Sequence, residues 1–519
     1  MTPHPPMRQP PRPDRRPPAG GQAAGGQAAG GRAANGQPGD GRPKIGWADL
    51  RGATVGVWGI GVEGAANLRR LRELGTTAVL VDDQPNGKTF DDRPVLATAA
   101  GGLDALGRCD VVVKAPGISR YRSDVAELEA ADVPVAGGLG LWMEEADRER
   151  VVCVTGTKGK STTTAVAGHL LDRLGYRCLV GGNIGRPPWD PDVGDDYDFW
   201  VVETSSFQAT DLASSPPVVA VTSLAPDHLD WHRDVERYYR DKLSACHQPG
   251  ARLTIADGAS RPLAERRDQF GPEIRWVHLG DRELDGAWVD GLGLLGDHHR
   301  RDALIARACL LALGVPEAAD EDAVVRAAEG FGGLPSRLRP VGTVDGVVFV
   351  DDSLSTNVLP TLAALDSFGG RRVALLVGGH DRGIDYGPLA DDLVGRAAPT
   401  LVLTLPASGP RIHAAIDAAV GAAIGAVVGH GPDNAVDGVA AEAASGLTVV
   451  DTDDLATGTR LGFDWARPDG VVLLSPAAPS FGQFRDYAER AAAFADAMRS
   501  CGRVEPSGVP SDSGDNSPG

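Results

Sequence analysis

A lysine and a hydroxyl side by side, Lys160 and Ser161, close a glycine turn in the stretch VVCVTGTKGKSTTT at 151–164. That pairing suits a polyphosphate: the ammonium reaches the terminal phosphates and the hydroxyl is offered to Mg²⁺. The residues around it supply the rest of a cradle. Gly156, Thr157, Lys158, Gly159 and Thr162 present backbone N–H groups just where the helical pattern TTTAVAGHLLDRLG begins, and a helix N-terminus favours an anion. The usual phosphate loop has a further glycine where Val154 stands, so this loop is a shortened variant and is read as an ATP site. Three more groups have metal and phosphate chemistry. Glu203 ends the apolar run DFWVVE, where a carboxylate can hold Mg²⁺ over ATP. His228 follows the run VVAVTSL, and Lys242 lies on the helical stretch RDVERYYRDKLSA. Each alone reads as an ordinary strand-end, loop or helix residue; behind a phosphate loop they read together as a metal-phosphate site.

Such groups need rigid elements to hold them. The β-branched run Val151, Val152, Val154, Thr155 predicts a buried strand, and strand, polar turn and helix then alternate down the chain. That alternation predicts an α/β fold of doubly wound sheets with ligands at the C-terminal strand ends. Upstream, ATVGVWGIGVEGAANLRRLRELG is strand, turn and amphipathic helix, with Gly59, Gly61 and Gly64 spaced G-x-G-x-x-G. The next strand ends in Asp82 and Asp83, an acid at the distance that suits a ribose. A phosphate-bearing ligand such as UDP, NAD or FAD fits that pattern. Downstream of about Gly332, strands end at Asp351-Asp352, Gly379-His380 and Ser475-Pro476, a mouth able to hold a second substrate.

These shifts divide the 519 residues into a Pro/Gly/Ala-rich tail at 1–45, domains at 46–150, 151–332 and 333–503, and a tail at 504–519. The tails bury too little apolar surface to offset ordering entropy and are expected to be disordered. A net charge of −19 argues against nucleic-acid and anionic-membrane binding. No run of about 18 apolar residues is present, so no membrane insertion is expected, and the N-terminus has no secretion-signal centre. Six scattered cysteines without a C-x-x-C read as reduced thiols. Together these predict a cytoplasmic protein.

The motifs TGTKGKS, GGNIG, ETSSFQ, DHLDWH with a lysine fourteen residues after its histidine, GLPSRL, DDSLSTN, GGHDRG and LLSPAAPSFGQF occur in that order. In this set the chain resembles the Mur ligases of peptidoglycan precursor synthesis, and among them the MurD-like glutamate-adding branch, from about Ala53 to Met498. The resemblance implies three domains: a Rossmann-like UDP-binding domain, a P-loop ATPase central domain and a Rossmann-like C-terminal domain for the amino acid. It implies a monomeric enzyme that joins an amino acid to a UDP-N-acetylmuramoyl-peptide, hydrolysing ATP to ADP and phosphate. By motif, Lys160, His228 and Lys242 are the implied catalytic groups. Ser161, Glu203, His228 and a carbamylated Lys242 are the implied magnesium site. Arg337 and Asp352 are implied to touch ATP. Asn183, with Gly59, Gly61 and Asp82, is implied to meet the UDP-substrate. Thr356, Arg382, Ser480 and Tyr487 are implied to line a glutamate pocket.

The chain departs from the D-glutamate pattern at three places. The family's NDSKATN is DDSLSTN, so a lysine has become Leu354; the lysine of the next glycine motif is Arg382. The adenine-side GxHNxxN is GDHHRRD at Gly296–Asp302. Arg382 keeps a cation but gives it a planar, bidentate fork. A DDS-aliphatic-ST motif followed by DRG resembles the branch that adds L-glutamate to UDP-N-acetylmuramoyl-L-alanine, with D-glutamate addition as the alternative. Other readings are weaker. A nicotinamide or flavin oxidoreductase leaves the ATP segment unexplained. A non-enzymatic ATP scaffold would not keep Glu203, His228 and Lys242, and a folylpolyglutamate-type ligase would not need the first domain.

Overall fold

The structure, a computed structural model, describes residues 42–428 and 446–505 except positions 86, 88 and 91. The expected tails at 1–41 and 506–519 lie outside the described residues. Two residues assigned by sequence to the C-terminal tail are ordered as a strand, Val504–Glu505, and Arg42 donates to the Leu212 carbonyl at 2.6 Å. The chain forms two compact units. One runs to Trp288 and takes up Arg301–Glu329; the other comprises Val289–Arg300 and the chain from Gly330.

The first unit contains two parallel sheets. In the first, β1 (Val55–Trp58), α1 (Val62–Glu73), β2 (Ala78–Asp82), β3 (Leu96–Ala97), β4 (Val111–Lys114) and β5 (Val135–Gly137) give the strand order β3-β2-β1-β4-β5. Every side chain of β1 and β4 is buried, as expected where helices cover both faces of a parallel sheet. Alternation sorts them. Val55, Val57, Val111 and Val113 join one core cluster, while Trp58 and Val112 face the other.

The second sheet is built from β6 (Val151–Thr155), α2 (Lys160–Arg173), β7 (Cys178–Gly182), β8 (Phe199–Glu203), β9 (Val218–Val221), α3 (Leu229–His232), α4 (Val235–Leu243), β10 (Leu253–Asp257) and β11 (Glu273–Val277). Its order is β11-β10-β9-β6-β8-β7. Strand β6 is therefore flanked by β8 and β9, and the chain leaves their C-terminal ends on one edge. That is a topological switch point, where open α/β sheets bind ligands.

The second unit holds a seven-stranded sheet of β12 (Arg339–Val344), β13 (Val347–Asp351), β14 (Val373–Val377), β15 (Thr400–Thr404), β16 (Leu447–Asp451), β17 (Val471–Leu474) and β18 (Val504–Glu505). The order is β16-β15-β14-β17-β13-β12-β18, parallel except where β12 meets β13 and β18. Val373, Leu375, Val471 and Leu473 fill one core cluster; Ala374, Leu376, Val472 and Leu474 fill the opposite one. The last helix is α5 (Tyr487–Cys501). The six cysteines are free thiols. Among the described residues no helix is long and apolar enough to cross a membrane.

Candidate active site

The phosphate loop follows from backbone geometry. Strand β6 runs through Val154, paired to β8 and β9, so the loop begins only at Gly156. Gly156 and Gly159 take φ values of +136° and +91°, which side-chain-bearing residues rarely adopt. A Cβ on Gly156 would lie 2.1 Å from the Thr222 hydroxyl, and one on Gly159 would lie 2.4 Å from the Asp302 carboxylate. The turn is pinned from β9's end. Thr157 N donates to Ser223 O at 2.9 Å, Lys158 N to Ser223 Oγ at 2.8 Å, and Thr157 Oγ1 to Ala225 O at 3.0 Å. Ser161 and Thr162 are buried in the first turn of α2.

Two lysines converge on one oxygen of that loop. Lys160 Nζ donates to Gly156 O at 2.8 Å and to Thr157 O at 3.2 Å, and Lys242 Nζ donates to Gly156 O at 3.0 Å. Lys242 is buried, 2 % exposed, with its ammonium 5.0 Å from the centre of the Tyr238 ring. Burial, reinforced by the Lys160 charge, pushes the Lys242 amine well below the ordinary lysine value. Glu203 is also buried, at the end of β8. Its Oε1 accepts from Asn183 Nδ2 at 2.7 Å, while Asn183 N donates to Glu203 O at 2.8 Å. The second carboxylate oxygen, Oε2, is buried with no hydrogen-bond partner.

His228 sits in the left-handed region at φ +49°, at the head of α3, and its ring is half exposed. Partial desolvation of the ring, with the charges of Lys242, Lys158 and Lys160, holds it below the usual histidine value despite the adjacent Asp227. Asp227 feels burial in the upward direction, but Lys158, 3.6 Å away, and His228 bring it below the usual carboxylate range. The electrostatic coupling of Lys242 to Lys160, Lys158, Asp227 and Glu203 puts these groups in one neighbourhood. Among the described residues no three His, Cys, Asp and Glu side chains cluster as a metal site. The set nevertheless fits a magnesium ion bound with a nucleotide: a desolvated carboxylate oxygen without a partner and a hydroxyl are hard oxygen donors, and an imidazole nitrogen stands beside them.

The glycine turn after β1 has a different construction. Gly59 (φ +91°) donates to Val81 O, and a Cβ on Gly64 would lie 2.1 Å from Gly59 O, so the third glycine lets α1 pack against the turn. Gly61 caps α1 and has open space where a Cβ would point. Asp82, expected at a ribose, spends its carboxylate on the fold. Oδ2 accepts from Ile60 N at 2.8 Å and Oδ1 from Gln84 N at 3.0 Å.

The remaining expected residues belong to the second unit. Asp352, at the end of β13, accepts from Ser475 Oγ at 2.7 Å and Leu338 N at 3.0 Å; burial raises its carboxyl to about 7. Arg337 lies between Ser336 and Leu338, both at positive φ, in a turn tied to Asp351 by Ser336 Oγ at 2.9 Å. Arg382 is exposed, with its guanidinium 5.8 Å from the Phe481 ring centre, and Ser480 is buried beside it in sequence. The two loops meet where His380 N donates to Pro479 O at 2.8 Å. Thr356 and Tyr487 are exposed.

Sequence reasoning missed two buried residues, one in each unit. Arg490 of α5 is buried and bridges Ser353 O at 2.7 Å and Ala478 O at 3.2 Å, so it links two strand-end loops; burial brings it down to about 10. Only its place in the apolar face of α5 could have flagged it. In the first unit, His232 lay inside a motif already noted and yet its partners, Ser206 and Asp241, come from other segments.

Residues 154–256 match the model of the Mur ligase middle domain. The chain is 38 % identical over 479 residues to a UDP-N-acetylmuramoyl-L-alanine–L-glutamate ligase from a Micromonospora strain, covering 87 % of this chain and 98 % of that protein. It is 39 % identical over 484 residues to a ligase of the same name from Xanthomonas euvesicatoria pv. vesicatoria, covering 86 % and 95 %. The crystal structure of MurF from Acinetobacter baumannii aligns with a TM-score of 0.50 at 15 % identity, over 86 % of this chain and 93 % of that one, a likeness of fold. With identity at this level along nearly the whole length of those relatives, the chain belongs to the Mur ligase family.

Proposed function

We propose that this ATP-dependent ligase joins L-glutamate to UDP-N-acetylmuramoyl-L-alanine in peptidoglycan precursor synthesis, in the cytoplasm and as a monomer. The observation that carries this reading is the 38 % identity to the Micromonospora ligase across 98 % of that protein. The DDS-aliphatic-ST motif at Asp351–Thr356 followed by DRG supports the L-branch by its resemblance, and the Arg382 guanidinium can grip a glutamate carboxylate with two parallel hydrogen bonds. In this reading residues 46–150 hold the UDP-substrate, 151–332 hold ATP and 333–503 hold the amino acid.

The chemistry follows from what each group can do. A carboxylate is a poor electrophile at neutral pH, so its carbonyl carbon must first carry a phosphate. In-line transfer of the γ-phosphoryl group asks mainly for positioning and for cations on the spreading charge. Lys160, together with the N–H groups of Gly156, Gly159 and Thr162, would hold the phosphates, whereas the Thr157 and Lys158 N–H groups, expected to join them, are taken by Ser223 and shape the loop instead. Magnesium, when bound, neutralises phosphate charge and polarises the transferring group; Ser161, Glu203 and His228 would hold it. Asn183, clamped to Glu203, would meet the UDP-substrate. Lys242 is suited to carbamylation, because its depressed basicity leaves a lone pair to attack carbon dioxide, releasing a proton and leaving an anion. Arg337 and Asp352 would engage ATP, and Thr356, Arg382, Ser480 and Tyr487 the glutamate. The amine of glutamate then attacks the acyl phosphate, an amide bond forms, and phosphate leaves. Gly59 and Gly61 would approach the UDP-substrate by backbone, with Asp82 bracing their turn.

The test is a product assay. Protein, UDP-N-acetylmuramoyl-L-alanine, ATP and Mg²⁺ are incubated with L- or D-glutamate separately, and product mass and ADP are read. Product with L-glutamate alone is expected; product with D-glutamate alone assigns the chain to the other branch.

A further inference from the structure

The DHLDWH segment carries a second histidine that the proposed reaction does not use. His232 is fully buried. Its Nδ1 lies 2.6 Å from Asp241 Oδ2, and its Nε2 lies 2.9 Å from Ser206 Oγ. A carboxylate partner fixes the proton on Nδ1, so Nε2 accepts from the Ser206 hydroxyl. The other carboxylate oxygen of Asp241 accepts from Tyr121 Oη at 2.6 Å. Tyr121 belongs to the loop after β4, and that loop is also fastened to the DHLDWH segment. Ser119 Oγ donates to Trp231 O at 3.1 Å, and Trp231 Nε1 donates to Pro116 O at 3.2 Å. Phe207 stacks on both Trp231 and His232, with ring centres 4.6 Å and 5.5 Å apart.

The order Ser-His-Asp is that of a hydrolase triad, but Ser206 is only 2 % exposed. A nucleophile must reach a substrate carbon, and this hydroxyl faces a packed interior. The partners' places in the chain point elsewhere. Ser206 stands three residues after Glu203, in the one-turn helix Ser206–Ala209. Asp241 immediately precedes Lys242 on α4. One imidazole therefore ties the loop that ends β8 to the helix that carries Lys242.

We propose that His232 is a positioning residue: bridging Ser206 and Asp241, it sets the spacing of Glu203 and Lys242, and Tyr121 connects that bridge to the loop after β4. The inference rests on the reading of Glu203 and Lys242 as the metal-phosphate site. Groups that orient metal ligands from behind contribute through geometry, and their loss costs ~10- to 100-fold in metal affinity or activity.

The test uses the full chain with Ser206→Ala, His232→Phe, the double variant and His232→Gln. Two quantities are read: kcat and KM for ATP, and the Mn²⁺ affinity of the ATP-bound protein by electron paramagnetic resonance without sugar nucleotide or amino acid. Ser206→Ala and His232→Phe are each expected to lower kcat and Mn²⁺ affinity by ~10- to 100-fold while KM for ATP stays within about threefold. The double variant should be no worse than the worse single one, because both act through one bridge. His232→Gln, which keeps an amide near Nε2, should recover part of the loss. Wild-type kcat and Mn²⁺ affinity in Ser206→Ala overturn the proposal, as do fully multiplicative losses in the double variant. Should His232→Phe fail to fold, Ser206→Ala, which deletes one oxygen, decides alone. A wild-type protein that binds Mn²⁺-ATP but makes no product with either glutamate refutes the proposed function and leaves this test readable.

Discussion

Lys160 and Glu63 show how differently two charged side chains can be used in one unit. Lys160 already lies against the loop carbonyls where phosphates are expected, so Lys160→Ala should lower ATP-dependent product formation by ~10²–10³-fold or more, since it removes a preorganised cation. Coupled measurement of ADP release checks this; unchanged turnover would remove the lysine from the mechanism. Glu63 sits beside the G-x-G-x-x-G turn, accepts from Gln208 Nε2 at 2.6 Å, and is raised by burial to about 7 from an ordinary 4.5. Its folded-state value lies above its unfolded one, so its contribution is complete below pH 4.5 and is lost as pH climbs through about 7. Unfolding free energy should therefore fall by up to ~3 kcal/mol across that window, about 1.4 kcal/mol per unit. Urea titrations at several pH values should show the slope in the wild type and a flatter profile in Glu63→Gln. At this scale the sequence was most legible where chemistry is local. The residues of the phosphate loop lie within a dozen positions, so type and order suffice. The bond from the Ile60 amide to the Asp82 carboxylate was not legible, because the two lie 22 positions apart and their pairing leaves no trace in composition.

Elements were readable wherever periodicity and turn chemistry agreed. The strand at Val151 follows from its β-branched run, those at Val55 and Val373 from short runs that end in glycine turns, and the turns at Gly59, Gly156 and Gly159 follow from the positive φ each requires. Gly64 illustrates a constraint that spacing alone only hints at. Its missing side chain lets α1 approach the carbonyl of Gly59, so Gly64→Ala must displace helix or turn. Overpacking of this kind typically costs about 1–3 kcal/mol. A lowered urea midpoint with an unchanged m-value is the expected signature, and a neutral result would mean the helix yields without strain. Cross-element pairings were not readable. His232, Asp241 and Ser206 reside on α3, α4 and the turn after β8, and only the order of β6, β8 and β9 gathers them.

Across the molecule, what joins the first unit's two sheets is partly ionic. Lys114, at the end of β4, is wholly buried and donates to Asp211 Oδ2 at 2.6 Å, while Arg120 takes Oδ1 at 2.9 Å. A cation and an anion taken out of water together are costly to separate. Lys114→Met leaves Asp211 with half its partners, and breaking a buried pair in this way costs about 3–5 kcal/mol. Thermal denaturation should show an earlier transition in this variant, and an unchanged midpoint would show that Arg120 compensates fully. Neither lysine nor aspartate carried a sequence signal, because 97 positions separate them. Trp231 lies on the same seam, its indole N–H held by the carbonyl of Pro116 and its face against Phe207. That makes it a built-in optical reporter: its emission depends on the polarity and contacts at one joint between the two sheets. A Trp231→Phe difference spectrum would isolate its signal from the other tryptophans, and any substrate that shifts the Pro116 loop would be seen as a change in colour or intensity before a single bond is made.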